Sequence, residues 1–439
     1  FNVYPMGRPP YWAAKNETRA HNNAALTKEG ETAFHNFCTK LGKYMAEKKA
    51  AQKIHYYLPT VEPQIPWGYK GTNEDLLRVQ EIAYKALHAA DPNAVVGGPG
   101  FGLDAVEQLE DLLKLGLANY IDVLDFHPYM GGDVLPAEFG LVKRIRDIRE
   151  LVQKYAGRQL PIAGTEAGYN VTGENKINWL RGAWSDVQHN LILLGEGFWF
   201  NVCFHGADNS REPHQNTWGH FFNLDTERDY GIQKGSPKPV VPAFAAMSWL
   251  LEGHKSAGAV EWFGEGINAY VYERPDSLVM AIWSNSAQKA QIPVRVTEVQ
   301  HFDWMGNKSK IACPDGILNL ELDNAPHYIK GLKPEHWGKN GSEKLLSIQE
   351  SQRNYIPGQT IKLSCDIKAA SNENLQGFLH FKGNPALGLS ETKQEFSCPA
   401  GKNTKVNFTW LINEDVALGE HSLAFVLLNQ NGQALAGAG

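Results

Sequence analysis

The strongest constraint in this sequence is an alternation that runs from residue 1 to about residue 254. Short apolar runs that stop at Gly, Pro or polar residues are each followed by a longer stretch with apolar residues at helical spacing. After the opening "FNVYPMGRPPYW", the apolar runs are "KIHYYLPTVEP", "AVVGGPGFG", "YIDVLDFHPYMGG", "LPIAGTEAGYN" and "GFWFNVCFHGADN". Between them, residues 27–48 carry Phe34, Phe37, Cys38, Leu41 and Met45 with a helical period. Thr72 stands three residues before Asp75, a capping-box pattern, and the helix it starts is expected to stop at Asp91-Pro92. Val142, Ile145, Ile148 and Val152 stripe a further helix. Stretches 104–115, 177–194 and the closing "PKPVVPAFAAMSWLLEG" supply the others.

Buried strands that alternate with helices pair in parallel. Six such strands are legible, and a closed eight-stranded barrel needs two more. Residues 1–254 are therefore expected to form the last six units of a (β/α)8 TIM barrel whose first two β/α units lie outside this chain. An open doubly wound sheet is the competing arrangement. It would want a glycine-rich phosphate turn after its first strand, and the sequence has none there.

Past residue 255 the period changes. "INAYVYERPDSLVMAIWSN", "QIPVRVTEVQHFDWMGN" and "APHYIKGL" alternate apolar and polar residues between turn signals, which predicts an antiparallel β-sandwich over 255–332. "KPEHWGKNGSEK" reads as a polar linker, and 345–439 as a second, Ig-like β-sandwich. Cys365 and Cys398 fall inside it, and both a disulfide and two reduced core thiols fit that placement.

Several function classes lack support. The net charge is −6 and no basic run occurs, so no nucleic-acid partner is expected. No apolar stretch reaches the roughly 18 residues of a membrane span. The five cysteines form no C-x-x-C pair, so no structural metal is expected. Neither a G-x-S-x-G elbow nor a phosphate-binding glycine loop is present, which argues against acyl transfer and nucleotide chemistry and leaves no cofactor implied.

In a parallel barrel the C-terminal strand ends and their loops form the active face. Two strands are expected to end in glutamate there: "LPTVEP" in Glu62 and "IAGTEAGY" in Glu166. Two strands separate them, so if the first is the fourth of the barrel, the second is the seventh, across the mouth. Facing carboxyl groups are what glycoside hydrolysis requires. One delivers a proton to the leaving oxygen, and the other attacks the anomeric carbon or activates a water that does. Taken alone, each glutamate reads more readily as a salt-bridged barrel-mouth residue; the joint pattern of the two is what points to this chemistry.

With these residues in place, 1–254 resembles the glycoside hydrolases of clan A, the "4/7" superfamily of retaining β-glycosidases. "TVEPQ" and "GTEAGY" match the clan's two glutamate motifs, "GRPPYW" its third-strand exit, "DFHPYMGG" its sixth-strand His-x-Tyr and "GFWFNVCFHG" its eighth strand. Residues 255–332 are similar to the sandwich that follows such barrels in families such as 39. The resemblance implies that Glu62 is the acid/base, that Glu166 is the nucleophile and that Tyr129 bonds to Glu166. It also implies that Trp199 lies under the reacting sugar and that the substrate is an oligo- or polysaccharide met outside the cytoplasm. Val61 departs from the pattern, since the clan usually has Asn there.

Trp12 and Trp67 are candidates for stacking on substrate or for rim packing. His127 reads either as a substrate contact or as a satisfied core histidine. The loop "FHGADNSREPHQNTWGHFF" brings His205, Asp208, His214, Trp218 and His220 together. A sugar-facing loop, with His205 and Trp218 on substrate, a zinc site and a solvent loop are all compatible with it. A non-catalytic carbohydrate-binding protein on a degenerate barrel is the alternative to an enzyme.

Overall fold

The computed structural model describes residues 3–6, 9–15, 23–65, 68–130, 134–169, 178–208, 218–222, 235–260, 263, 266–313, 316–333, 337, 345–350, 355–369, 372–384, 387–416, 423–432 and 434–438. The chain forms two compact units, Phe1–Lys238 and Pro239–Gly439.

The first unit is a curled parallel sheet of six strands, part of a barrel wall, with a helix after each of the first five. The strands are β1 (Val3–Pro5), β2 (His55–Leu58), β3 (Ala94–Gly102), β4 (Val123–His127), β5 (Ile162–Ala167) and β6 (Phe198–Cys203). They lie side by side in chain order, every neighbouring pair parallel. The helices are α1 (Lys28–Lys48), α2 (Asn73–Ala90), α3 (Val106–Lys114), α4 (Leu141–Ala156) and α5 (Asn178–Gly195). The expected helix starts hold. The Thr27 side chain accepts from the Gly30 N–H to cap α1, and Thr72 and Asp75 close the capping box of α2.

The pleat of β2 separates its two tyrosines. Tyr57 faces outward into a core with Cys38 and Met45 of α1 and Ala83, Ala86 and Leu87 of α2. Tyr56 faces inward with Val123 and Ala163, and Val95 and Phe200 pack on them. One expectation is corrected here. The strand before Glu62 stops at Leu58, because Pro59 has no N–H to extend the ladder. Glu62 therefore sits four residues beyond its strand, in the loop.

In the second unit, helix α6 (Val240–Leu251) precedes the strands, and its Trp249 ring lies 5.9 Å from Phe302. The helix expected to close the barrel thus falls within this unit. Two separate cores follow. One gathers Ala269, Met280, Ile282, Val299 and Ile329 under a six-stranded antiparallel sheet. The other gathers Leu363, Ile367, Leu379, Phe381 and Phe425 between a three-stranded and a four-stranded sheet. Cys365 and Cys398 are both free thiols buried in the latter core. Among the described residues, no helix is long and apolar enough to cross a membrane.

Candidate active site

The site lies where the loops after β2, β4, β5 and β6 converge. Past Leu58 the chain bends back on itself. Glu62 adopts the left-handed region, φ 47°, and its N–H donates to the Gly100 carbonyl at 3.0 Å. Its own carbonyl accepts from the Ile65 N–H at 3.3 Å. Gly100 is itself left-handed, φ 51°, where a side chain would be strained and would sit 3.4 Å from His127 Nε2. The glycines of "AVVGGPGFG" thus let the β2 loop and His127 approach the same stretch of backbone.

Strand β4 points Val123, Asp125 and His127 to one side, at the two-residue period of the pleat. His127 is buried, and its Nδ1 lies 3.0 Å from Glu62 Oε1 and 3.8 Å from Glu166 Oε2. Burial opposes its positive charge. The Glu62 hydrogen bond and the charges of Glu166, Asp125 and Glu62 outweigh burial and hold the imidazole pKa above 6.5. Both glutamate side chains are 26% exposed, so the pair is open to a ligand.

Two residues on, Tyr129 donates its phenol proton to Glu166 Oε1 at 2.7 Å. Burial, then this bond, push the phenol pKa far up, so it remains a donor. The Tyr129 ring meets Trp218 edge-on at 4.9 Å and Phe204 at 6.0 Å. Gly168 makes room for the indole. A Cβ there would lie 3.1 Å from the Trp218 ring. The loop behind Trp218 is pinned. Asp208 accepts from the Gly219 N–H at 3.0 Å and pairs with buried Lys238 at 2.6 Å, while His220 pairs with Asp186 at 2.9 Å.

Of the expected site residues, Glu62, His127, Tyr129, Glu166 and Trp218 come together here. His205 packs on Phe204 at 4.0 Å. Trp199 lies against Tyr56 and Phe200, at 6.4 and 5.4 Å. Trp12 occupies the short helical turn Tyr11–Ala13 after β1, about half exposed. Trp67 and His214 lie outside the described residues. A zinc site in the 204–222 loop gains nothing from Asp208 and His220, which engage Lys238 and Asp186. Among the described residues, the set able to share a cation is instead Glu62, His127 and Glu166, with one ligand atom from each lying within 4.8 Å of the others.

Sequence reasoning missed Asp125. Its carboxylate is fully buried and accepts from Tyr56 Oη and Thr165 Oγ1, each at 2.5 Å. Burial pushes its pKa up to about 6 against these two bonds. The available signal was the two-residue step to His127, which puts both side chains on one face of β4.

No family model matches the sequence, and no curated protein matches it. Solved structures do share its fold. A family 39 glycoside hydrolase from the gut symbiont Bacteroides cellulosilyticus WH2 superposes with a TM-score of 0.50 at 16% identity, covering 69% of this chain and 62% of that one. This chain therefore spans less than two thirds of that protein's length. A family 39 β-xylosidase from Caulobacter crescentus gives 0.53 at 12% identity, over 75% and 79% of the two chains. A family 30 endoxylanase from Clostridium papyrosolvens C71 gives 0.51 at 13% identity, over 74% and 78%. The fold is that of clan A glycoside hydrolases.

Proposed function

We propose that this protein is a glycoside hydrolase that cleaves β-glycosidic bonds of an oligo- or polysaccharide with net retention. In this reading its six parallel strands are the third to eighth of a (β/α)8 barrel. One observation carries the proposal: Glu62, from the loop after β2, and Glu166, from the end of β5, bring carboxylate oxygens within 4.8 Å of each other. Retaining pairs stand about 5–5.5 Å apart, whereas inverting pairs leave about 6.5–9.5 Å for a water.

Glu166 attacks the anomeric carbon while Glu62 protonates the leaving oxygen. The glycosyl ester on Glu166 is then hydrolysed by a water that Glu62 deprotonates. Tyr129 holds one oxygen of Glu166, leaving the other to attack. Trp218 and Phe204 offer apolar surface beside the reacting sugar. The β-xylosidase and endoxylanase of the same fold make β-xylosides the first substrates to try. A polysaccharide substrate would be met outside the cytoplasm.

The test is covalent trapping. A 2-deoxy-2-fluoro β-glycoside with an activated leaving group should add one glycosyl mass to the peptide carrying Glu166. No labelling, together with intact substrate across a glycan panel, would turn the reading to a non-catalytic carbohydrate-binding protein. The cation-ligand geometry of Glu62, His127 and Glu166 favours one further reading, a metal-dependent hydrolase. That enzyme would lose activity to a chelator, and the retaining glycosidase would not.

A further inference from the structure

We propose that Asp125 is a positioning residue of this site, a buried carboxylate that ties together the three strands that lead to Glu62, to His127 with Tyr129, and to Glu166. The inference rests on the glycosidase reading of those residues.

The interior of a parallel barrel is ordinarily filled by layers of apolar side chains. Here the inward face of β4 carries a carboxylate between Val123 and His127, in a layer otherwise held by Tyr56, Ala163 and Phe200. Both of its oxygens are used. One accepts from Tyr56 on β2, the other from Thr165 on β5. Tyr56 leads through the β2 loop to Glu62, Thr165 immediately precedes Glu166, and Asp125 itself stands one pleat below His127. A single acceptor thus joins the roots of all three supports.

The surroundings are shaped for this contact. Gly97 on β3 is bare where the Tyr56 phenol passes, since a Cβ there would lie 2.2 Å from its oxygen. An apolar residue at 125, with phenylalanine at 56 and valine at 165, would fill the same layer without any buried charge. An isolated buried carboxylate costs stability, so its presence beneath two catalytic glutamates points to function. The groups facing Asp125 are Tyr56 from β2, His127 on its own strand and Thr165 from β5. The negative charge of Asp125 also favours the imidazolium of His127.

The experiment compares Asp125→Asn, Thr165→Val and Tyr56→Phe with the wild type in the full chain. Turnover of an aryl β-glycoside is measured per active site, the sites being counted by 2-fluoroglycoside labelling. The pH titration of His127 is followed separately by NMR in the ligand-free protein. D125N should lower kcat about tenfold to a hundredfold with KM little changed, as a small misplacement of reacting groups does. It should also move the His127 titration to lower pH. T165V and Y56F, which each remove one donor to Asp125, should also lower kcat, and they stand in for D125N should it fail to fold. Wild-type kcat per labelled site in D125N, or in both hydroxyl variants, would overturn the proposal. So would a loss confined to the fraction of labelled sites, which a purely structural role predicts. Were the wild type inert on every glycoside, the glycosidase reading would fail. The His127 titration would then still decide whether Asp125 acts on the site, and an unmoved titration in D125N would overturn the tie.

Discussion

His127 holds its Nδ1 atom 3.0 Å from a carboxylate oxygen of Glu62, and the same atom lies 3.8 Å from Glu166. One buried imidazole therefore stands against both carboxylates.

The two glutamates should separate by substrate. In the proposed mechanism Glu166→Ala removes the atom that would bond to the sugar, so it should abolish turnover of every glycoside. Glu62→Ala removes only proton transfer. It should lose about 10²- to 10⁴-fold in kcat/KM on substrates with poor leaving groups, yet keep most of kcat/KM on dinitrophenyl glycosides, whose leaving group needs no proton, while kcat falls because no base activates the water. Azide should rescue that variant and yield a glycosyl azide of retained configuration. Equal losses on both substrate types would remove Glu62 from the acid/base role.

His127 should titrate above the ordinary 6.5, and Glu62→Gln should bring it down, because it removes the hydrogen bond that most favours the imidazolium. NMR of the ring carbons across pH reads both. The stability consequence has a definite sign. A histidine whose folded pKa is raised contributes stability that is complete below about pH 6.5 and fades as pH climbs through the folded value. The urea midpoint of the wild type should therefore exceed that of His127→Gln by more in acid than in alkali.

Much of this site is legible in the residue string, for physical reasons that differ from group to group. The capping box at Thr72 and Asp75 is local chemistry and appears where the spacing places it. Glu166 sits in a strand whose apolar run and following glycine mark it plainly. Glu62 was legible as a residue but not as a conformation. The bend after Pro59 is set by a hydrogen bond to Gly100, which lies in a distant stretch of sequence. Asp125 was hidden because an acid in "YIDVLDFHPYM", which also carries Asp122, reads as a break in an apolar run. Its meaning depends on Tyr56 and Thr165, and only the parallel sheet brings those to it. Phe204 escaped for the same reason, since nothing local tells which aromatic ring will meet Tyr129.

Asp125 should cost stability at neutral pH. Burial pushes its folded pKa up to about 6 from the ordinary 3.8, and the folded protein therefore binds the proton more tightly than the unfolded chain. Stability is highest below the unfolded value and falls as pH rises through the folded one. At about 1.4 kcal/mol per tenfold change in proton affinity, the loss is about 3 kcal/mol. Asp125→Asn should therefore unfold at higher urea than the wild type near neutrality, with the gap closing in acid. A gap that did not depend on pH would mean that Asp125 is not the buried titrating group.

The Asp208–Lys238 pair should behave as a buried clamp on the loop that carries Trp218. Both side chains are buried, the Lys238 ammonium also lies 5.5 Å from the Phe222 ring, and Asp208 accepts from the N–H of Gly219, the residue after Trp218. Lys238→Met strands a buried carboxylate whose one other side-chain bond among the described residues is that N–H, so it should cost about 3–5 kcal/mol of stability. Adding Asp208→Leu removes the stranded charge and should recover a large part of the loss, a coupling that a double-mutant cycle measures directly. The double variant still lacks the bond to Gly219. It should therefore keep a raised KM even as stability returns, because Trp218 is no longer fixed edge-on against Tyr129. Recovery of stability and KM together would show that the pair acts on the fold alone and does not reach the site.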